Sequence, residues 1–149
     1  HGDYQPAATD KPFDTEKWYH VAAVWTGSSW DIYIDGIYAT GAPTQGATVD
    51  LSSDNSGGFY LGASYGGGRY MYGYIAEARV WTRALSQSEI ANNMNYVDPA
   101  SDGLVAYWRM NEWEPNEDGS GNVVRDETGH GYDAIGGSSD PQMIDTKWN

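Results

Sequence analysis

Tyr65, Arg69, Tyr70 and Tyr72 gather around three consecutive glycines, Gly66 to Gly68. Flat aromatic rings stack on the C–H faces of a sugar while planar polar groups bond its hydroxyls, so this set has the chemistry of a carbohydrate contact. A triple glycine costs backbone entropy unless its conformation is needed, and the alternative is a plain hairpin tip. Trp113 lies in a second such stretch, Trp113-Glu114-Pro115-Asn116-Glu117-Asp118, where an acidic loop gives a large aromatic little folding purpose. The alternative there is a ring folded back as a lid over a sheet edge. Trp30 is a third candidate ring, because its strand has one solvated face.

Carboxylates supply two further possibilities. Residues 126–133, read D-E-T-G-H-G-Y-D, set Asp126, Glu127 and Asp133 on a glycine-containing turn, and hard oxygen ligands so placed suit Ca²⁺. The loop is too short for an EF-hand, and an Asx-type turn that satisfies its own backbone is the other reading. Glycoside hydrolysis needs two carboxyl groups about 5 Å apart for retention or about 6.5 to 9.5 Å for inversion. Glu77, Glu112 and Glu114 are the residues from which such a pair would have to come. The pattern G-x-S-x-G occurs once, at Gly62-Ala63-Ser64-Tyr65-Gly66, but a nucleophile elbow needs a strand running into a helix there, and none is expected between the strands at 59–63 and 71–81. A catalytic role is therefore not expected.

The elements that must position these groups are strands. Residues 18–25 form an aromatic and β-branched run with only His20 polar, which predicts a strand covered on both faces and a hydrogen-bonded core histidine. Residues 30–34 alternate, and Asp35-Gly36 tolerates the positive φ values of a type I′ turn, so residues 37–40 fold straight back. Further strands are expected at 47–51, 59–63, 71–81 and 104–110, with at most an edge strand near Tyr4. Trp18, Trp25, Trp81 and Trp108 stand among apolar neighbours and are expected in the core. One helix is predicted over 85–94, where Ser86 and Glu89 form a capping box.

Three segments carry a family resemblance. W-Y-H-V-A followed by W-D-I-Y-I-D-G, then G-Y-I-A-E-A-R-V-W-T-R-A-L-S over 73–86, then G-L-V-A-Y-W-R-M-N-E with G-S-G-N-V-V-R-D-E-T-G-H-G-Y-D over 103–133, are similar to ordered motifs of the laminin G-like, concanavalin A-like lectin and glucanase family. The resemblance implies an all-β, antiparallel jelly-roll β-sandwich over residues 1–149, with 1–17 as an approach segment. The third segment usually opens such a domain, and the earliest family strand is not found. Either the chain is the C-terminal piece of a longer protein, or its last third supplies strands in a permuted order. The glucanases of the family carry E-x-D-x-x-E on one strand, a spacing missing here. The Asp126 turn helps hold Ca²⁺ in some members, but the acidic position of the I-D-E motif is Ala76 in this chain.

Composition bounds the partners. The 149 residues hold seven Trp and twelve Tyr against two Phe, and a formal net charge of −13. A phosphate backbone needs a basic surface, so nucleic acid is excluded, and an anionic membrane is equally disfavoured. Cysteine is absent, which removes disulfides, thiolate catalysis and Cys-based zinc sites. No apolar run of membrane-spanning length occurs. The resemblance implies an extracytoplasmic glycan-binding module, as in surface lipoproteins of gut Bacteroidetes that hold glycans for neighbouring enzymes, possessing an upstream domain as a further partner. A structural or protein-interaction module is the alternative class.

Overall fold

The computed structural model describes residues 13–43, 60–62, 71–112 and 122–136. Expectations at Tyr4, at 47–51 and at 63–70 lie outside them, as do Tyr65, Arg69, Tyr70, Trp113 and Glu114. The described pairings are all antiparallel, and the chain divides into two compact units that are taken in turn.

The first unit holds the three-stranded meander β1 (Val21–Trp25), β2 (Ser29–Ile34) and β3 (Ile37–Pro43), and the helix α1 (Gln87–Asn92). Val21 faces Ile34 and Trp25 faces Trp30 across the first hairpin, while Ile34 faces Ile37 across the second. Asp35 (φ 51°) and Gly36 (φ 74°) both adopt the left-handed region that a two-residue primed turn demands. Asp35 also clamps the entering chain, because its carboxylate accepts from His20 N at 2.9 Å while its own N–H donates to His20 O at 2.8 Å. The Asp35-Gly36 turn packs on α1: Gln87 Nε2 donates to Gly36 O at 3.1 Å, and a Cβ on Gly36 would lie 2.9 Å from Ala91 Cβ.

Helix α1 starts where its cap directs. Ser86 accepts from Glu89 N, and Glu89 returns a bond to Ser86 N. The Ser86 backbone N–H, its hydroxyl and Arg83 lower Glu89 to about 2. Among the unit's described residues, the buried hydrophobic side chains are Ile32, Ile34, Ile90 and Val97. Strand β1 differs from expectation in burial, since Val21 is 55% exposed and Trp18 and Trp25 are half-buried. An apolar run reads alike whether one face or two are covered, so composition could not separate the cases.

The second unit joins β4 (Ala78–Trp81) to β5 (Leu104–Trp108), and β6 (Val123–Val124) to β7 (Ala134–Ile135). Ala78 faces Trp108 and Val80 faces Ala106. A strand from the last third of the chain thus pairs with one from the 73–86 motif. Ala106, Trp108 and Val124 form the core, against which Ala78, Val80, Met110 and Ala134 pack. Trp108 is buried as expected, whereas Trp81 is only half-buried. The strand expected over 71–81 begins only at Ala78, because Glu77 takes a left-handed φ of 57° that breaks the ladder.

Candidate functional site

Residues 60–62 and 71–76 meet one another, although the segment 63–70 separates them in sequence. Met71 N donates to Gly62 O at 2.8 Å, and Gly62 (φ 75°) lies so close to Ile75 that a Cβ would stand 3.2 Å from its Cδ1. These contacts fix the two flanks of that segment beside one another. Among the described residues here, Tyr72 is fully exposed, Tyr60 and Tyr74 are more than half exposed, and Met71 and Leu61 also reach solvent. An exposed apolar patch of this kind marks a binding surface more often than a folding need. Sequence reasoning found Tyr72 but not Tyr60, Tyr74, Leu61 or Met71. Their signal was present in the Y-L-G and M-Y-G-Y flanks, which read as strand interiors.

Trp30 belongs to the other unit. Its ring is half-buried and leans on Trp25, with centroids 5.4 Å apart at 51°. A tilted cross-strand pair of this kind is a stabilising contact of a hairpin end.

Glu77 sits at the centre of a polar cluster. Its Oε2 accepts from Arg79 Nη2 at 2.9 Å and from the Tyr107 hydroxyl, and its Oε1 from Arg109 Nε at 3.2 Å. The side chains of Glu77 and Arg79 are 12% and 7% exposed, and the Tyr107 residue is fully buried. Arg79 also lies over the Tyr107 ring, 4.9 Å from its centroid. Burial, with the bond to Glu77, raises the Tyr107 phenol above its usual value, and the bond to Glu77 raises Arg109. Glu112 is occupied elsewhere, accepting from Arg125 N at 2.9 Å.

Asp126 and Asp133 do come together. Asp126 N donates to Asp133 Oδ1 at 2.9 Å, closing the turn on which Gly129 and Gly131 take positive φ values of 75° and 85°. Burial pushes the Asp126 carboxyl up, but the Thr128 hydroxyl and the N–H groups of Tyr107, Thr128 and Tyr132 outweigh it and hold the group below the usual carboxylate range. Nearby, residues 99–104 with Thr128 and His130 line a shallow groove of about 410 Å³, whose lining offers no Trp, Tyr or Phe ring for stacking. Among the described residues no cluster of three or more His, Asp or Glu is arranged to hold a metal ion, and no helix is long and apolar enough to cross a membrane.

Comparison with known proteins places this arrangement. A crystal structure of a "putative carbohydrate binding protein" from Bacteroides ovatus ATCC 8483 is 34% identical with a TM-score of 0.65, the match covering 91% of this chain and 40% of that one. The chain thus spans well under half the length of that relative. An S-layer domain-containing protein from Clostridium thermocellum ATCC 27405 is 26% identical with a TM-score of 0.46, over 56% of this chain and 42% of the other. The search of curated proteins gave no match. Residues 1–91 match the laminin G type of the concanavalin A-like lectin/glucanases superfamily, and the chain belongs to that family.

Proposed function

We propose that this chain is a non-catalytic, lectin-like module that holds a glycan on the aromatic surface where residues 60–62 and 71–76 meet. The observation that carries the reading is the full exposure of Tyr72, with Tyr60 and Tyr74 more than half exposed nearby in the fold. A ring with no packing partner has its face available for the C–H side of a sugar. Tyr65, Arg69 and Tyr70 belong to the segment between them and would supply further rings and hydroxyl-binding donors; Trp113 is a second contact. The carbohydrate-binding description of the Bacteroides ovatus relative supports the reading. The same features favour work outside the cytoplasm, at a bacterial surface where an upstream domain anchors the module and glycans are handled by neighbouring enzymes.

Leu61 and Met71 favour a second reading. Aliphatic and thioether groups add nothing to sugar stacking, but methionine is enriched at protein interfaces, so the patch also suits a protein partner. A glycan array probed with the whole chain, with Tyr72→Ala and with Trp113→Ala separates the two. Sugar binding that weakens about tenfold or more in Tyr72→Ala, equivalent to ~1.4 kcal/mol, is expected at unchanged melting temperature. A folded chain that binds no glycan would transfer the patch to a protein partner.

A further inference from the structure

We infer that the Asp126 turn takes no cation, and that the Asp126 carboxylate is itself the fixed charge around which the turn is built. Calcium asks for six to eight oxygens at about 2.3 to 2.6 Å, with lone pairs converging on one point. At Asp126 the convergence is of donors instead. Oδ1 accepts from Tyr107 N at 3.1 Å, Thr128 N at 3.1 Å and Thr128 Oγ1 at 2.7 Å. Oδ2 accepts from Tyr132 N at 3.2 Å and stands 2.8 Å from the same Thr128 hydroxyl. A cation at this carboxylate would face the positive ends of three backbone N–H dipoles.

Several other oxygens at the turn are engaged as well. The Asp126 carbonyl accepts from Gly129 N at 3.2 Å, the Tyr107 carbonyl from Glu127 N at 2.9 Å, and the Tyr132 carbonyl from Trp108 Nε1 at 2.8 Å. The Val105 carbonyl is met by Thr128 Oγ1 at 3.3 Å and by His130 Nδ1 at 2.9 Å, which fixes the proton on Nδ1. Asp133 gives its Oδ1 to Asp126 N. One buried anion, 7% exposed, therefore ties β5 to both limbs of the turn, beside the bridge between Trp108 and Asp126. That is the cross-linking an ion would otherwise supply. The inference is independent of sugar binding.

The test is thermal denaturation of the whole chain in CaCl₂ and in chelator, with Tb³⁺ as a luminescent stand-in for Ca²⁺ and Trp108 as its sensitiser. The expected result is one melting temperature in both conditions and no sensitised Tb³⁺ emission. Asp126→Asn should lower the melting temperature by several degrees, and Ca²⁺ should not restore it. Thr128→Val keeps the test decisive should Asp126→Asn fail to fold. Losing a donor to the carboxylate should destabilise the turn whatever the Ca²⁺ level, whereas a cation site would survive the change and still respond to Ca²⁺. A Ca²⁺-dependent rise in melting temperature that Asp133→Asn abolishes would overturn the inference; a rise that persists unchanged in both Asp133→Asn and Thr128→Val, without Trp-sensitised Tb³⁺ emission, would locate the ion elsewhere and leave it standing.

Discussion

Replacing Glu77 by Gln should cost the second unit far more than an ordinary surface substitution. The carboxylate joins Arg79, the Tyr107 hydroxyl and Arg109, with the Glu77 and Arg79 side chains 12% and 7% exposed. Removing one partner of a buried ion pair strands the other charge, at about 3 to 5 kcal/mol. An amide would also turn an N–H₂ toward donors that need an acceptor. The left-handed φ of 57° at Glu77 is itself a cost of order 1 to 3 kcal/mol, tolerated because these bonds hold it. For a chain near 150 residues, roughly 2 to 4 °C of melting temperature is lost per kcal/mol, so a fall of about 10 °C is expected. Arg109→Ala provides the internal comparison. Its side chain is 42% exposed, and solvent screening limits that pair to about 1 kcal/mol or less. Urea unfolding followed by tryptophan fluorescence measures both, and a double-mutant cycle isolates each coupling. If Glu77→Gln unfolded within about 1 kcal/mol of the parent, or if Arg109→Ala cost as much, the cluster would not be the anchor described.

Two further perturbations probe the frame around it. Gly36→Ala combines a φ of 74° with a Cβ only 2.9 Å from Ala91 Cβ, so it should loosen α1 from the β2–β3 turn and destabilise by roughly 2 kcal/mol or more, read by the same unfolding assay. Stability should also have an acid and an alkaline limb. Asp126 has a folded-state pKa below its ordinary 3.8, so its contribution is present above that value and is lost as pH falls through the lower one; Asp126→Asn should flatten the limb. Tyr107 has a folded-state pKa above 10.0, so its contribution is whole below pH 10 and is lost as pH rises toward the higher value, a limb that Tyr107→Phe should remove.

The parts legible in the sequence were those fixed by local chemistry. Asp35-Gly36 specified its turn because only two positive φ values join such strands with the right twist, and Ser86 with Glu89 specified where α1 begins. Residues 71–77 were misread because the left-handed backbone at Glu77 is held by Arg79, Tyr107 and Arg109, two of them about thirty residues away in sequence. The short strands Val123–Val124 and Ala134–Ile135 were missed for a related reason. Two residues carry no period, and they pair because Asp126 draws the turn between them onto β5. For the site, Tyr72 was found by residue type, but exposure is a property of packing, which is why Tyr60 and Tyr74 became visible only in the fold.

The two carboxylates that looked most like chemistry both turn out to be tied to structure, and they are tied in opposite ways. Glu77 is an anion neutralised by guanidinium groups, with a fully buried phenol as its third donor. Asp126 is an anion neutralised by backbone dipoles and one hydroxyl, with no cation in the set. Each satisfies a buried charge completely, and each lies on β5 or pairs with it, so both lock the same strand. Among its described residues, this unit also leaves apolar surface exposed, at Tyr60, Tyr72 and Tyr74 among others.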